Sequence, residues 1–207
     1  MTRSLSDVVP GPPLAPGGWR YARLALVCAV PLAFVSPPLA VCCLVAAAAA
    51  AWFHRDPRRS PPPSGVVSPA DGRVSVVRTE GDRVRIGVFM NVTDVHVNRA
   101  PEAGTVASVE REPGGHLPAF SKASERNERV RIDCGEHEVT LIAGAIARRI
   151  HPYVSSGDRL ERGDRIGHIS FGSRADVLLP PAYDAADVRV ENGQRVRAGE
   201  TVLVGPR

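Results

Sequence analysis

Near the carboxy-terminal end, the stretch "GDRIGHISFGSRADVLLP" (163–180) sets Gly172 and Ser173 between two runs of alternating apolar and polar residues. Glycine weakens a strand interior, and there it marks a bulge, a turn or a close approach of backbone. The serine beside it carries a hydroxyl, a group that chemistry can use. Two further positions carry groups of that kind: His96 in "DVHVNRAP" (94–101), an imidazole, and Asp71 in "VVSPADGRV" (66–74), a carboxylate. Each also has a plain structural reading. Asp-Gly favours tight turns, and a strand histidine is usually a packed residue. Asn127 and Arg129 in "NERV" (127–130), and Arg174 beside the serine, are candidates for ordering the site or holding an anion.

Composition narrows the chemistry. The chain has 207 residues and a formal charge of +4, and Lys122 is its only lysine, so lysine chemistry has a single candidate. No dense basic run with interleaved aromatics is present, which argues against nucleic acid as a partner. The four cysteines, Cys28, Cys42, Cys43 and Cys134, have no metal-ligand spacing with a histidine and no legible disulfide pattern. They read as small buried hydrophobes in a reducing compartment, and no metal is expected.

The elements that must position these residues follow from texture. Residues 1–23 read as a disordered tail, polar and rich in Pro and Gly at its start. From Leu24 to Phe53 the chain carries no charge, "LALVCAVPLAFVSPPLAVCCLVAAAAAAWF", which suits a helical, membrane-associated segment. The "SPP" at Ser36–Pro38 divides it, leaving a kinked span or a shallow hairpin. Arg20 and Arg23 before it, and Arg55, Arg58 and Arg59 after it, favour two cytoplasmic ends. A cleaved signal peptide is the competing reading, opposed by the length of the run and its continuation into "WFHRDP". Residues 54–65 form a proline-dense linker.

Residues 66–207 then read as short strands: "GRVSVV", "RVRIGVFM", "GTVASVE", "RVRIDCG", "HEVTLIAGAIARRI", "DRIGHISF" and "ADVLLP". Only "PPAYDAADVRV" carries any helical period. Two segments repeat one form, G-x-x-apolar-x-x-G-x-x-apolar: "SGDRLERGDRIGHI" (156–169) and "NGQRVRAGETVLV" (192–204), with "EGDRVRIGVF" (80–89) a weaker copy. The expected fold is mainly β, a small sandwich or barrel with lipoyl- or biotinyl-like hairpins, preceded by the apolar helical segment.

Five stretches, "FHRDPRR" (53–59), "VVSPADGRV", "DVHVNRAP", "NERV" and "FGSR" (171–174), occur in an order and spacing that resemble the short form of phosphatidylserine decarboxylase, with "PGGHLPAF" and "LIAGAIARRI" between them. The resemblance covers nearly the whole chain from about residue 50 and implies a self-processing proenzyme. Its bond Gly172–Ser173 is cut to give a long β chain, 1–172, and a short α chain, 173–207, held as a heterodimer. Ser173 becomes a pyruvoyl group that forms a Schiff base with the head-group amine of phosphatidylserine and draws electrons as CO₂ leaves. It also implies a protease-like set of Asp71, a histidine and Ser173 for the cut. His96 matches the first histidine of the family's longer pattern D-x-H-x-x-H, and Arg99 stands where the second would be. Either His96 serves both cleavage and decarboxylation, or another group assists. A bilayer substrate gives the apolar amino terminus its purpose, at the cell membrane with the catalytic domain on the cytoplasmic face. The alternative is a membrane-anchored lipoyl-like adaptor or carrier, for which Lys122 lies in a polar loop rather than at a hairpin tip. A pyridoxal-phosphate decarboxylase lacks a suitable lysine, and no nucleophile-elbow pattern surrounds Ser173.

Overall fold

The computed structural model describes residues 14–16, 18–115, 126–144, 149–169 and 172–206, in two compact units divided between Arg58 and Arg59. Lys122, His116 and residues 1–13 of the expected tail lie outside the described residues.

The amino-terminal unit holds two helices, α1 (Gly18–Val35) and α2 (Pro37–Phe53), broken at Ser36 as the "SPP" requires. Pro37 opens α2, where its missing N–H costs nothing. Leu14 bridges to Arg55, the Ala15 amide donates to the His54 carbonyl at 2.7 Å, and Tyr21 stacks on His54. The two far ends therefore meet, and of the two geometries left open by the sequence this is the hairpin. Small residues lie along the buried seam: Gly18, Ala22 and Ala29 on α1, Ala40 and Ala47 on α2. Small side chains let helix backbones approach closely. Helix α1 starts at Gly18, inside the stretch read as tail, because Ala15 and Gly18 pack against His54. Leu24, Val27, Val30, Phe34, Leu39 and Val45 face outward, and α1 is long and apolar enough to cross a membrane by length and composition. Cys28 and Cys42 are exposed on this hairpin and Cys43 is half-buried, contrary to expectation; only Cys134 is buried. Cys28 and Cys42 lie off the seam, whereas Cys43 shares the face of Ala40 and Ala47 at helical spacing.

The second unit is mainly β. Its strands are β1 (Val66–Val67), β2 (Gly72–Glu80), β3 (Arg83–Met90), β4 (Val97–Arg99), β5 (Gly104–Thr105), β6 (Ser108–Glu112), β7 (Arg129–Asp133), β8 (Glu138–Ile142), β9 (Ile150–Pro152), β10 (Arg159–Leu160), β11 (Arg165–Ile169), β12 (Ser173–Leu178), β13 (Arg195–Val196) and β14 (Val202–Val204). Seven of them form one sheet in the order β13-β2-β3-β12-β8-β7-β6, with β4-β11-β9 a three-stranded sheet and β1-β14 and β5-β10 two-stranded ribbons. The large sheet is open, with β13 and β6 at its edges, so the described strands close no barrel. Alternation sends Val84, Ile86, Val88 and Met90 of β3, Val130 and Ile132 of β7, and Ala175 and Val177 of β12 into one core with Ile150, Ile166 and Leu203 from the smaller sheets.

The repeated glycine pattern is a repeated turn. Gly157 and Gly163 of one copy, and Gly193 and Gly199 of the other, all have φ between 72° and 93°. Several of these turns are closed by a side chain three residues on: Asp158 accepts from the Ser155 amide, Asp164 from the Glu161 amide and Gln194 from the Glu191 amide, each at 2.8–3.0 Å. "PPAYDAADVRV" yields only a 3-10 turn at Ala185–Asp187, capped reciprocally by Asp184 and Asp187. Its polar, proline-led sequence closes a turn locally and offers no continuous apolar stripe to a core. The proline-dense linker is not free of the domain, since Arg59 is seated on it through Asp71 and Glu200.

Candidate active site

Strand β12 begins at Ser173, which is fully buried and stands opposite Met90 of β3 in the middle of the large sheet. Gly172, immediately before it, has φ 61°, the left-handed region that glycine enters without penalty. A Cβ at Gly172 would meet nothing within 4 Å. The glycine is therefore required by backbone conformation and not by crowding among the described residues. Among the described residues, the only hydrogen-bond partner of Ser173 Oγ is the thioether of Met90 at 4.0 Å, and thioether sulfur is a weak acceptor.

The same sulfur is 3.6 Å from Asn98 Nδ2. Asn98 sits on β4, which pairs with β11, and the ladder continues one step further through the Ile169 amide to the His96 carbonyl. His96 and Asn98, two residues apart on this extended run, share a face; Arg99 takes the other. His96 is buried, and its Nδ1 is 2.9 Å from the Asp94 carbonyl. A carbonyl only accepts, so Nδ1 carries the proton and the lone pair lies on Nε2. Asp94 is in turn held by the Asn91 amide and by Arg195, at 2.8 and 2.9 Å, which fixes the loop carrying the histidine. Arg99 reaches away, donating to the Gly163 carbonyl at 2.9 Å.

Asp71 occupies a different place. Arg59 grips its carboxylate with bonds of 2.9 and 2.8 Å, and the Ala198 amide donates to it at 2.8 Å. It makes no hydrogen bond to His96 or Ser173. The turn it anchors does reach the site. The Pro69 carbonyl accepts from the Arg99 amide at 2.9 Å and lies 3.4 Å from Asn98 Nδ2. Ser68 closes the turn through the Ala70 carbonyl and ties it to Thr201 and Gly199.

Asn127 donates to the Ala143 carbonyl at 2.8 Å, at the same end of the sheet as Ser173, since Ile142 pairs with Arg174 and with Arg129. Arg129 lies in that transverse row and pairs with Glu112 at 3.7 Å. Arg174, next to the serine, points to the opposite face of β12 and grips Asp176 in a fork of 2.7 and 2.9 Å. His168 bonds Tyr153 at 2.7 Å and stacks on His151 within the three-stranded sheet, apart from Ser173. The structure thus gathers Ser173, Gly172, His96 and Asn127 at one end of the domain, and adds Met90 and Asn98, which sequence reasoning passed over. The signal for Asn98 was its place two residues after His96 within one motif.

Residues 46–204 match the phosphatidylserine decarboxylase family. The chain belongs to that family. It is 65% identical over 189 residues, 91% of this chain and 96% of the relative, to a Halobacterium salinarum protein named as an archaetidylserine decarboxylase proenzyme. It is 53% identical over 141 residues to a phosphatidylserine decarboxylase proenzyme of Streptomyces avermitilis, and 57% identical over 142 residues to one of Thermobifida fusca. Against each of these two it covers 66% of its own length and 64% of the relative's. The matched span contains every candidate site residue, and the carrier alternative finds no support.

Proposed function

We propose that this chain decarboxylates the serine head group of a membrane phospholipid, after cutting itself between Gly172 and Ser173. The observation that carries the reading is a fully buried serine directly after a left-handed glycine, at the head of the central strand of a decarboxylase-family domain. The relatives carry two lipid names, phosphatidylserine and archaetidylserine, with the serine head group in common.

In the cut, Ser173 Oγ forms a bond to the Gly172 carbonyl carbon and the peptide C–N bond breaks. The hydroxyl proton passes through His96 Nε2 to the leaving nitrogen, which gives an ester and a primary amine. Loss of the Ser173 α-proton with departure of the Gly172 carboxylate, then hydrolysis with release of ammonia, leaves a keto acid at residue 173. The residues present suit that group: the position is a serine, is shielded from water, and follows a glycine in the left-handed region. When formed, a pyruvoyl group supplies a ketone that takes up the substrate amine and accepts electron density as CO₂ departs. His96 serves as proton carrier in both stages, because Arg99, at the other family position, is committed to Gly163. Asp71 is a positioning residue, acting through the Pro69 turn on Asn98. Asn127 orders the strand ends beside the site, and Arg129 and Arg174 brace the outer face through Glu112 and Asp176.

The two products stay together as a heterodimer, since β12 lies between β3 and β8, and β13 and β14 pair with β2 and β1. The glycine-paired turns at 157/163 and 193/199 support a lipoyl-like reading of these hairpins. The helix hairpin seats the protein on the cell membrane. Its outward face is apolar toward the Ser36 turn, while Trp19, Tyr21, Trp52 and Arg55 cluster where its ends meet, with Arg55 4.3 Å above the Trp52 ring. Aromatic and arginine side chains favour the head-group level, and the arginines flanking both ends of the hairpin support a cytoplasmic side for those ends.

Intact mass of the purified protein tests the reading. Two chains are expected, the smaller starting at residue 173 with a carbonyl-reactive terminus; lipid-active protein that remains one chain overturns it. His96→Ala is expected to leave uncut precursor. Cut but inactive protein would confine His96 to decarboxylation.

A further inference from the structure

The self-cleavage chemistry leaves one buried group unused. Asn98 is completely buried, and only one end of its amide is engaged. Nδ2 faces the Pro69 carbonyl at 3.4 Å and the Met90 thioether at 3.6 Å. Both of these only accept, so the NH₂ end is turned to them and Oδ1 is turned away. Among the described residues Oδ1 is buried and accepts from nothing. A buried carbonyl without a donor lowers stability, and such groups are few in native proteins. This one shares the Met90 sulfur with Ser173 Oγ.

In the uncut chain the nitrogen of residue 173 is an amide in β12, opposite Met90. Transfer of the acyl group to Oγ turns that nitrogen into a primary amine, and new N–H donors appear on the residue that shares the Met90 sulfur with Asn98, whose Oδ1 has no donor among the described residues. We propose that Asn98 is a positioning residue for self-cleavage: its Oδ1 receives the amine freed on residue 173 and so holds the ester against reversal. Reversal matters because an amide is more stable than an ester, and the freed amine stands next to the carbon it has just left. A nitrogen donating to Asn98 is turned from that carbon long enough for the α-proton to be removed. The step needs no outside reactant: the proton lost by Oγ ends on nitrogen, and the bond broken at nitrogen is the bond formed at oxygen.

This inference rests on the self-cleavage reading, and its test separates the two. Freshly made precursor is followed by intact mass, and thermal unfolding is measured on the same samples. Asn98→Leu removes the orphan carbonyl, so precursor loss should slow by about tenfold or more while Tm stays level or rises. Asn98→Asp keeps an acceptor at the position and should cleave faster than Asn98→Leu. Hydroxylamine, which captures an ester and not an amide, should cut Asn98→Leu more slowly than wild type. Cleavage of Asn98→Leu at the wild-type rate overturns the proposal, as does slowing matched by a fall in Tm, or an Asp variant no faster than the Leu variant. If Asn98→Leu does not fold, Asn98→Ala carries the same comparison. Wild-type protein that never cleaves sinks the self-cleavage reading itself.

Discussion

Ser173 and Arg174 are neighbours in one central strand, and both are buried, yet the fold treats them in opposite ways. Arg174 is locked to Asp176 by two short charge-assisted bonds on the outer face of β12, with Arg85 4.0 Å from the same carboxylate. Among the described residues, Ser173, on the inner face, has a single weak hydrogen bond, to sulfur at 4.0 Å. Burial pushes the Asp176 carboxyl above its usual range in spite of the guanidinium beside it. The outer face therefore holds costly charges that only tight pairing makes tolerable. The inner face leaves the proposed nucleophile loosely held. The contrast teaches that one strand can be clamped on one side so that a side chain on the other is free to react without loss of register.

The largest effect should come from the loose side. Ser173→Ala is expected to abolish cutting and decarboxylation together, seen by intact mass and by CO₂ release. Stability should change by only ~1 kcal/mol, since a weak hydrogen bond is all that is lost. Surviving activity would break the contrast at its centre. On the clamped side, Asp176→Ala leaves a buried guanidinium short of its main partner and should cost about 3–5 kcal/mol in urea unfolding. Arg174→Met combined with Asp176→Val should recover most of that, because an apolar pair of similar volume replaces the ions.

A third test separates the fold's acid response from the site's. His137 lies at the far end of β8 from Ser173, and burial, with Arg83 adding to it, holds its imidazole down at about 4 against 6.5 for the free group. The unfolded chain takes up this proton below pH 6.5 and the folded chain does not until about pH 4. Stability should therefore fall as pH drops through that window, by up to about 3 kcal/mol. His137→Gln should flatten the slope and leave cleavage at neutral pH unchanged. The smallest effect belongs to Met90→Leu, a volume-conserving change expected to cost less than ~1.5 kcal/mol. It removes the acceptor shared by Ser173 and Asn98 and should slow cutting by a few-fold, read from the same mass time course.

Much of the domain could be read from sequence because its signals are local. Alternation marks Arg83–Met90 as a strand, and glycines at fixed spacing mark the turns after Ser156 and Asn192. The break at Ser36 was equally plain, since prolines cannot continue a helix. What escaped is long-range. Arg59, in a stretch that reads as linker, meets Asp71 and Glu200, and no periodicity announces such a pair. The order β13-β2-β3-β12-β8-β7-β6 joins strands far apart in the chain, which a local pattern does not encode. Asp71 reads as part of a protease-like set by position in a motif, whereas its contacts make it the anchor of a turn. Asn98 stands two residues after His96 in one motif, and that spacing was its one local signal; its burial and its missing donor are seen only in the fold.

The place of β12 in the sheet has a consequence for assembly. The partners of the mature enzyme would never meet by diffusion; they would be born interleaved, one to one, from a single folding event. Dilution should not part them, and mixing separately expressed halves should fail to reproduce them, because the shorter piece has no stable shape of its own to dock.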